Sequence, residues 1–274
     1  MFHVEHFCVI LIKKKGRCFD LGKCIAVANQ KGGVGKTTTA VNLSACLGAM
    51  GKKILLLDTD PQGNASSGLG VDKSKAEYSI YNVLIGDVSL KDAIVHTKFE
   101  NLDLCPSNME LAGAEIELVS MEDREFLMKR AVAEIKDDYD FIFIDCPPSL
   151  GLITLNSFVC ADTVIMPIQC EYYALEGLSQ LMTTIRTVKR GLNPEIDVEG
   201  VLLTMFDTRT NLSIQVADEV KRFFPHKVYG TVIPRNVRIS EAPSFGEPIN
   251  VYDKHSKGAE SYANLAKEVI KANS

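Results

Sequence analysis

No stretch of this 274-residue chain approaches the ~20 consecutive apolar residues needed to span a bilayer. Its eight cysteines (Cys8, Cys18, Cys24, Cys46, Cys105, Cys146, Cys160, Cys170) include no Cys-x-x-Cys pair. Scattered in apolar runs such as Cys24-Ile-Ala-Val-Ala28, they read as small hydrophobes and reduced core thiols, not as a disulfide frame or metal site. Excess positive charge is missing too. Thirty basic side chains face 35 acidic ones, a net charge of −5, so contact with nucleic acid requires a local basic patch. Internal repeats, low-complexity tracts and linkers are also absent. What remains is an ordinary globular balance, 46% hydrophobic and 24% charged, in a length that suits one α/β domain of ~200–250 residues plus an extension.

Residues 1–20 stand apart in composition. The run Phe7-Cys-Val-Ile-Leu-Ile12 precedes Lys13-Lys-Lys15, the reverse of the order in a secretory signal, and no small-residue cleavage site follows. A membrane-surface segment is the lesser alternative. From residue 24 onward, short β-branched runs alternate with helical patterns. Ile25–Ala28 predicts a buried strand; Ala40, Leu43, Leu47 and Met50 then recur at helical spacing until Gly51. Further strands are expected at Lys53–Leu57, Asn101–Cys105, Phe141–Ile144, Thr163–Ile168, Gly200–Met205 and Val228–Ile233. Helices are expected around Leu127–Ile135, at roughly 174–190 and 211–224, and in a closing segment striped by Tyr262, Leu265, Ala266, Val269 and Ile270. Such alternation predicts a mainly parallel sheet with helices on both faces, in one domain over residues 21–274.

The chemistry gathers at the carboxyl ends of these strands. Lys31-Gly32-Gly33-Val34-Gly35-Lys36-Thr37-Thr38 lies between a buried strand and a helix. Glycines there let successive amides turn toward phosphate oxygens, and the helix adds its positive end. Lys36 suits the β- and γ-phosphates, and the Thr37 hydroxyl suits Mg²⁺. The pattern departs from the plain G-x-x-x-x-G-K-[ST] because Lys31 stands first. A lone loop lysine is ordinarily solvated, but a second lysine beside a phosphate lysine suggests a charge that acts in the transition state, as an arginine finger does. Asp145 ends a continuously apolar strand, the position (Walker B) from which a carboxylate holds Mg²⁺ directly or through water. The turn Cys146-Pro-Pro-Ser-Leu-Gly151 after it suits sensing of a γ-phosphate. Asp58 and Asp60 close the second strand; Asp58 is assigned to the Mg²⁺ shell and Asp60 to the attacking water, against the alternative of an Asp-Pro turn without chemistry.

Together these segments resemble the ParA/MinD group of deviant-Walker P-loop ATPases, and within it the chromosomal ParA type. Lys31–Thr38 matches the deviant loop, Asp58-Thr-Asp60-Pro-Gln-Gly-Asn64 the first switch and Asp145–Gly151 the second. Gln169-Cys-Glu171-Tyr-Tyr-Ala-Leu-Glu-Gly-Leu178 and Val232-Ile-Pro234-Arg-Asn236-Val-Arg238 also match. The likeness runs from about residue 22 to the end. It implies an ATP- and Mg²⁺-dependent homodimer in which Lys31 of each subunit touches the other's nucleotide, with Pro234 and Asn236 at the adenine. It also implies non-specific binding of double-stranded DNA through Arg209 and Arg238, and release when a ParB-type partner stimulates an otherwise slow hydrolysis. The expected place is the cytoplasm, on the nucleoid, without stable membrane association; control of replication initiation or sporulation is a further role that the residues do not reveal.

Three other readings compete. A MinD-like ATPase positioning the division site would need a membrane-binding amphipathic C-terminal helix, whereas the closing stripe here suits packing on the core. An iron–sulfur relative would need a shared cluster, and the spacing of Cys146 and Cys160 does not suit one. A ligase or kinase on the same scaffold would need a substrate pocket that the sequence does not reveal. Because members of the group usually begin with Met-Gly-Lys just before the first strand, and Leu21-Gly22-Lys23 stands there, residues 1–20 are expected to be an extension or the product of a mis-set start. Intact-mass measurement of the native protein should find the chain without them; a mass that includes them refutes this, and Lys13–Lys15 then become residues to test for DNA or membrane contact.

Overall fold

The computed structural model describes residues 22–171 and 174–274; the segment 1–20, with Lys13–Lys15, lies outside them. Seven strands form one sheet in the order β3-β4-β2-β5-β1-β6-β7: β1 (Lys23–Val27), β2 (Ile54–Asp58), β3 (Val95–His96), β4 (Leu102–Cys105), β5 (Phe141–Asp145), β6 (Thr163–Gln169) and β7 (Asp197–Thr204). All pairings are parallel except the edge pair β3–β4. The expected fold class therefore stands. The continuously apolar runs Ile54–Leu57 and Phe141–Ile144 are wholly buried, as strands covered on both faces must be.

Eleven α-helices among the described residues supply the covers. α1 (Lys36–Ala49), α2 (Asn64–Gly68), α9 (Val237–Glu241), α10 (Ile249–Tyr252) and α11 (Lys257–Ala272) close one face. α3 (Ile80–Ile85), α4 (Leu111–Leu118), α5 (Leu127–Ala133), α6 (Leu152–Cys160), α7 (Ala174–Gly191) and α8 (Asn211–Phe223) close the other. The stripe expected on the closing helix is buried: Tyr262, Leu265, Ala266 and Val269 are at most 1% exposed and belong to the core shared with α1. Lys23 at the start of β1 donates to Glu199, and Asn273 donates to the same carboxylate, so the two ends of the domain are joined at the sheet's amino edge.

Two elements differ from expectation. The antiparallel edge strand Val95–His96 is too short for a periodic signal. Val228–Ile233 forms only isolated bridges beside β7. There the amides of Gly230 and Thr231 donate to the Glu268 carboxylate of α11 at 2.9 and 2.7 Å, which takes them out of a ladder. No helix among the described residues is long and apolar enough to cross a membrane.

Leu265→Ala removes a fully buried side chain at the α1–α11 contact, and is expected to lower unfolding free energy by about 2–5 kcal/mol. Urea denaturation checks this; an unchanged midpoint would show that α11 is not part of the cooperative core.

Candidate nucleotide site

Strand register brings the site together. Asp145 at the carboxyl end of β5 lies between Val27 of β1 and Asp58 of β2, so the loop leaving β1 rises beside the Asp145 carboxylate, with Asp58 one strand further on. Gly33 and Gly35 have φ of 75° and 89°, a left-handed conformation that glycine adopts without the Cβ clash of other residues. Val34 is buried, and its carbonyl accepts the Thr204 hydroxyl at 2.8 Å. The Asn29 side chain bridges the Pro167 carbonyl and the Lys31 amide. The loop is thus clamped from β6 and β7 while the first turn of α1 keeps amides without helical partners.

Lys36 is buried and its ammonium donates to the Lys31 carbonyl at 3.1 Å. Burial lowers its pKa, and the neighbouring Asp145 opposes that shift. Asp145 is fully buried, and neither carboxylate oxygen has a hydrogen-bond partner among the described residues. Burial first, and then the Asp58 charge, push its pKa well above the usual carboxylate range; the Thr37 hydroxyl and Lys36 ammonium pull the other way. A buried carboxylate with open lone pairs beside a threonine hydroxyl is a donor set for a hard, oxygen-seeking cation such as Mg²⁺. The residues fit that ion.

The two aspartates of the other loop have different surroundings. Asp58 is buried and committed to structure: Oδ2 accepts the Ser66 amide at 2.8 Å and hydroxyl at 2.7 Å, and Oδ1 accepts the Asp60 amide at 3.3 Å. Burial raises its pKa to about 6 despite the Ser66 hydrogen bonds. Its part in a metal shell is accordingly limited to lone pairs that Ser66 and Asp60 leave free. Asp60 is half-buried, with Oδ1 accepting only the Gln62 amide at 2.9 Å.

Lys31 does not reach toward its own loop. Its ammonium pairs with Glu171 at 2.8 Å, and Gln169 donates to the same carboxylate. Pro234 and Asn236 line a cavity of about 220 Å³ with Gly35, Thr38 and Thr204, next to the loop. Asn236 Oδ1 also caps α9 by accepting the Arg238 and Ile239 amides. The two arginines are exposed but not free. Arg209 forms a two-pronged pair with Asp207 at 2.9 and 2.7 Å. Arg238 pairs with Glu241 at 3.0 Å and with Asp253 at 3.5 Å.

The sequence reading missed Ser66, Thr204 and Glu171. The first two carry no signal, since each acts across a loop-to-strand contact. Glu171 lay within a quoted motif, but its pairing with a lysine 140 positions earlier is visible only in three dimensions.

Known proteins resemble this chain over most of its length. A family profile described as an AAA domain matches residues 22–198. The sporulation initiation inhibitor protein Soj of Bacillus subtilis is 60% identical over 91% of this chain and 98% of its own. The chromosome partitioning protein ParA of Myxococcus xanthus is 51% identical over 92% of this chain and 89% of its own. Among solved structures, a protein named cobyrinic acid a,c-diamide synthase from Mycobacterium smegmatis, with bound ADP and magnesium, is 39% identical. It superposes with a TM-score of 0.81 over 92% of this chain and 95% of that one.

Asp145→Asn replaces a buried carboxyl group without a hydrogen-bond partner by a neutral amide. It is expected to stabilise the nucleotide-free protein, by on the order of 1 kcal/mol, because the desolvation penalty falls. The same substitution should abolish the thermal shift given by ATP with Mg²⁺. Differential scanning calorimetry with and without ligand reads both; a destabilised apo form would show that the carboxylate is not the strained group.

Proposed function

The chain belongs to the Soj/ParA family of chromosome-partitioning ATPases, and from that membership we propose a cycle of ATP-dependent dimerisation, DNA binding and partner-triggered hydrolysis. The observation that carries the proposal is Asp145, buried with both oxygens unpaired between Lys36, Thr37 and Asp58. Thr37 and Asp145 hold Mg²⁺, which when bound neutralises charge developing on the β- and γ-phosphates. Lys36 exchanges the Lys31 carbonyl for phosphate oxygens, and the loop amides from Gly32 to Thr38 cradle them. Asp60, whose carboxylate has spare lone pairs, orients the attacking water and accepts its proton. Pro234 and Asn236 pack the adenine in their cavity.

Lys31 supports the sandwich dimer. In the single chain its charge is neutralised by Glu171, and on dimerisation it turns to the phosphates of the opposite subunit. Basal hydrolysis is then slow because one chain lacks this charge at its own nucleotide. Arg209 and Arg238, doubled by the dimer, supply phosphate contacts to duplex DNA without reading bases, and their carboxylate partners keep the single chain a weak binder. A ParB-type protein stimulates hydrolysis and releases the dimer, which places the cycle on the nucleoid. Against the membrane-bound alternative stands the apolar stripe of α11, which is buried against the core instead of being offered to a lipid surface.

The test is binding to non-specific duplex DNA with ATP or ADP at low and moderate salt. Binding should require ATP, and Arg238→Ala in both subunits should weaken it and reduce the salt slope by about 2, one per lost phosphate contact. An ATP dimer that binds no DNA refutes the reading.

A further inference from the structure

Helix α4 has two apolar faces. Leu111, Ala114 and Leu118 pack into the core, while Ile116 on the other side is 80% exposed. Met109 just before the helix and Val119 just after it are also exposed, and so is Leu150 in the turn after Asp145. Val119, Arg124, Leu150, Leu155 and Thr184 wall a groove of about 350 Å³. Single exposed apolar side chains need no explanation, but several large ones along one helix and across one groove mark an interaction surface.

The same segment touches both loops of the nucleotide site. Gln62, two residues past Asp60, donates to the Met109 sulfur at 3.7 Å. The Ser107 amide donates at 3.2 Å to the Ser66 hydroxyl that holds Asp58. On the other side, the Glu115 carboxylate lies directly against Gly151: a β-carbon added there would fall 1.8 Å from Oε1. Gly151 is the residue from which α6 starts, so the carboxylate sits at the positive end of that helix.

Charge selects the occupant. From Glu110 to Glu125 the chain carries Glu110, Glu115, Glu117, Glu122, Asp123 and Glu125; Arg124 is paired with Glu125 and Arg130 with Asp123, and the other four carboxylates have no ion pair among the described residues. A second copy of this chain centred on the surface would set acid against acid. We propose that the groove and the outer face of α4 receive a basic segment with apolar anchors, belonging to the partner that stimulates hydrolysis. The proposal rests on the reading above that such a partner exists. Seating the segment shifts α4, and through Met109 and Glu115 the shift reaches the Asp60 loop and the turn after Asp145 without entry into the nucleotide cavity.

The experiment uses the full chain with ATP, Mg²⁺, DNA and the ParB-type protein of the same genome. Ile116→Ser with Val119→Ser should leave basal hydrolysis and ATP-dependent DNA binding unchanged. It should raise the partner concentration for half-maximal stimulation by about tenfold, as loss of an interface anchor does. That concentration should also rise with salt in the unaltered protein. A photo-crosslinker at Val119 should capture a lysine- or arginine-rich segment of the partner. Equal stimulation of both proteins overturns the surface alone, and capture of a second copy of this chain overturns its occupant. No stimulation of the unaltered chain overturns the partner reading, and the surface with it.

Discussion

A carboxyl group held in the interior without a hydrogen bond is one of the more costly arrangements a fold can tolerate, and Asp145 is held that way by the sheet itself. It ends a strand whose other four residues are apolar and buried, and its register partners are the last residues of β1 and β2. The neighbours answer the charge in different ways. Lys36 is drawn into the interior beside it, Thr37 offers a hydroxyl, and Asp58 is turned aside by Ser66 instead of adding a second unpaired charge. The unsatisfied interaction is kept because the core around it is large enough to hold the strand in register.

The loops then divide their work. Asp58 ties the loop after β2 to α2 through Ser66, while Asp60 stands one step further out with a nearly free carboxylate. The two acids are separated by only Thr59, whose amide and hydroxyl both bond the Asp145 carbonyl. A tether that short converts a change at one carboxylate into a displacement at the other. Lys31, Arg209 and Arg238 share a second theme: each is paired with a carboxylate of its own chain, so little of their charge is left on display.

Much of this was legible in the sequence wherever the signal is local. Strands β1, β2 and β5 are covered on both faces and read as unbroken apolar runs; the glycine loop and the terminal aspartates follow them directly. The signal fails where a distant partner decides. Val228–Ile233 has a strand's composition, yet Glu268 removes its amides from the ladder. Asp58 and Asp145 look alike as strand-ending acids, and only Ser66, brought in by the turn of α2, separates them. The pair Asp207–Arg209 was within local reach, two residues apart, but an arginine in a polar loop gives no sign of which way its guanidinium turns.

The position of β1 has a consequence for synthesis. It is the first strand made among the described residues, yet its neighbours are β5 and β6, which begin at Phe141 and Thr163. At about 5–20 residues per second, the ribosome leaves this apolar strand unpaired for on the order of ten seconds. During that interval a segment destined for the centre of the sheet behaves as an open edge, able to pair with any other chain. The centre of the sheet therefore cannot close around β1 until β5 has emerged.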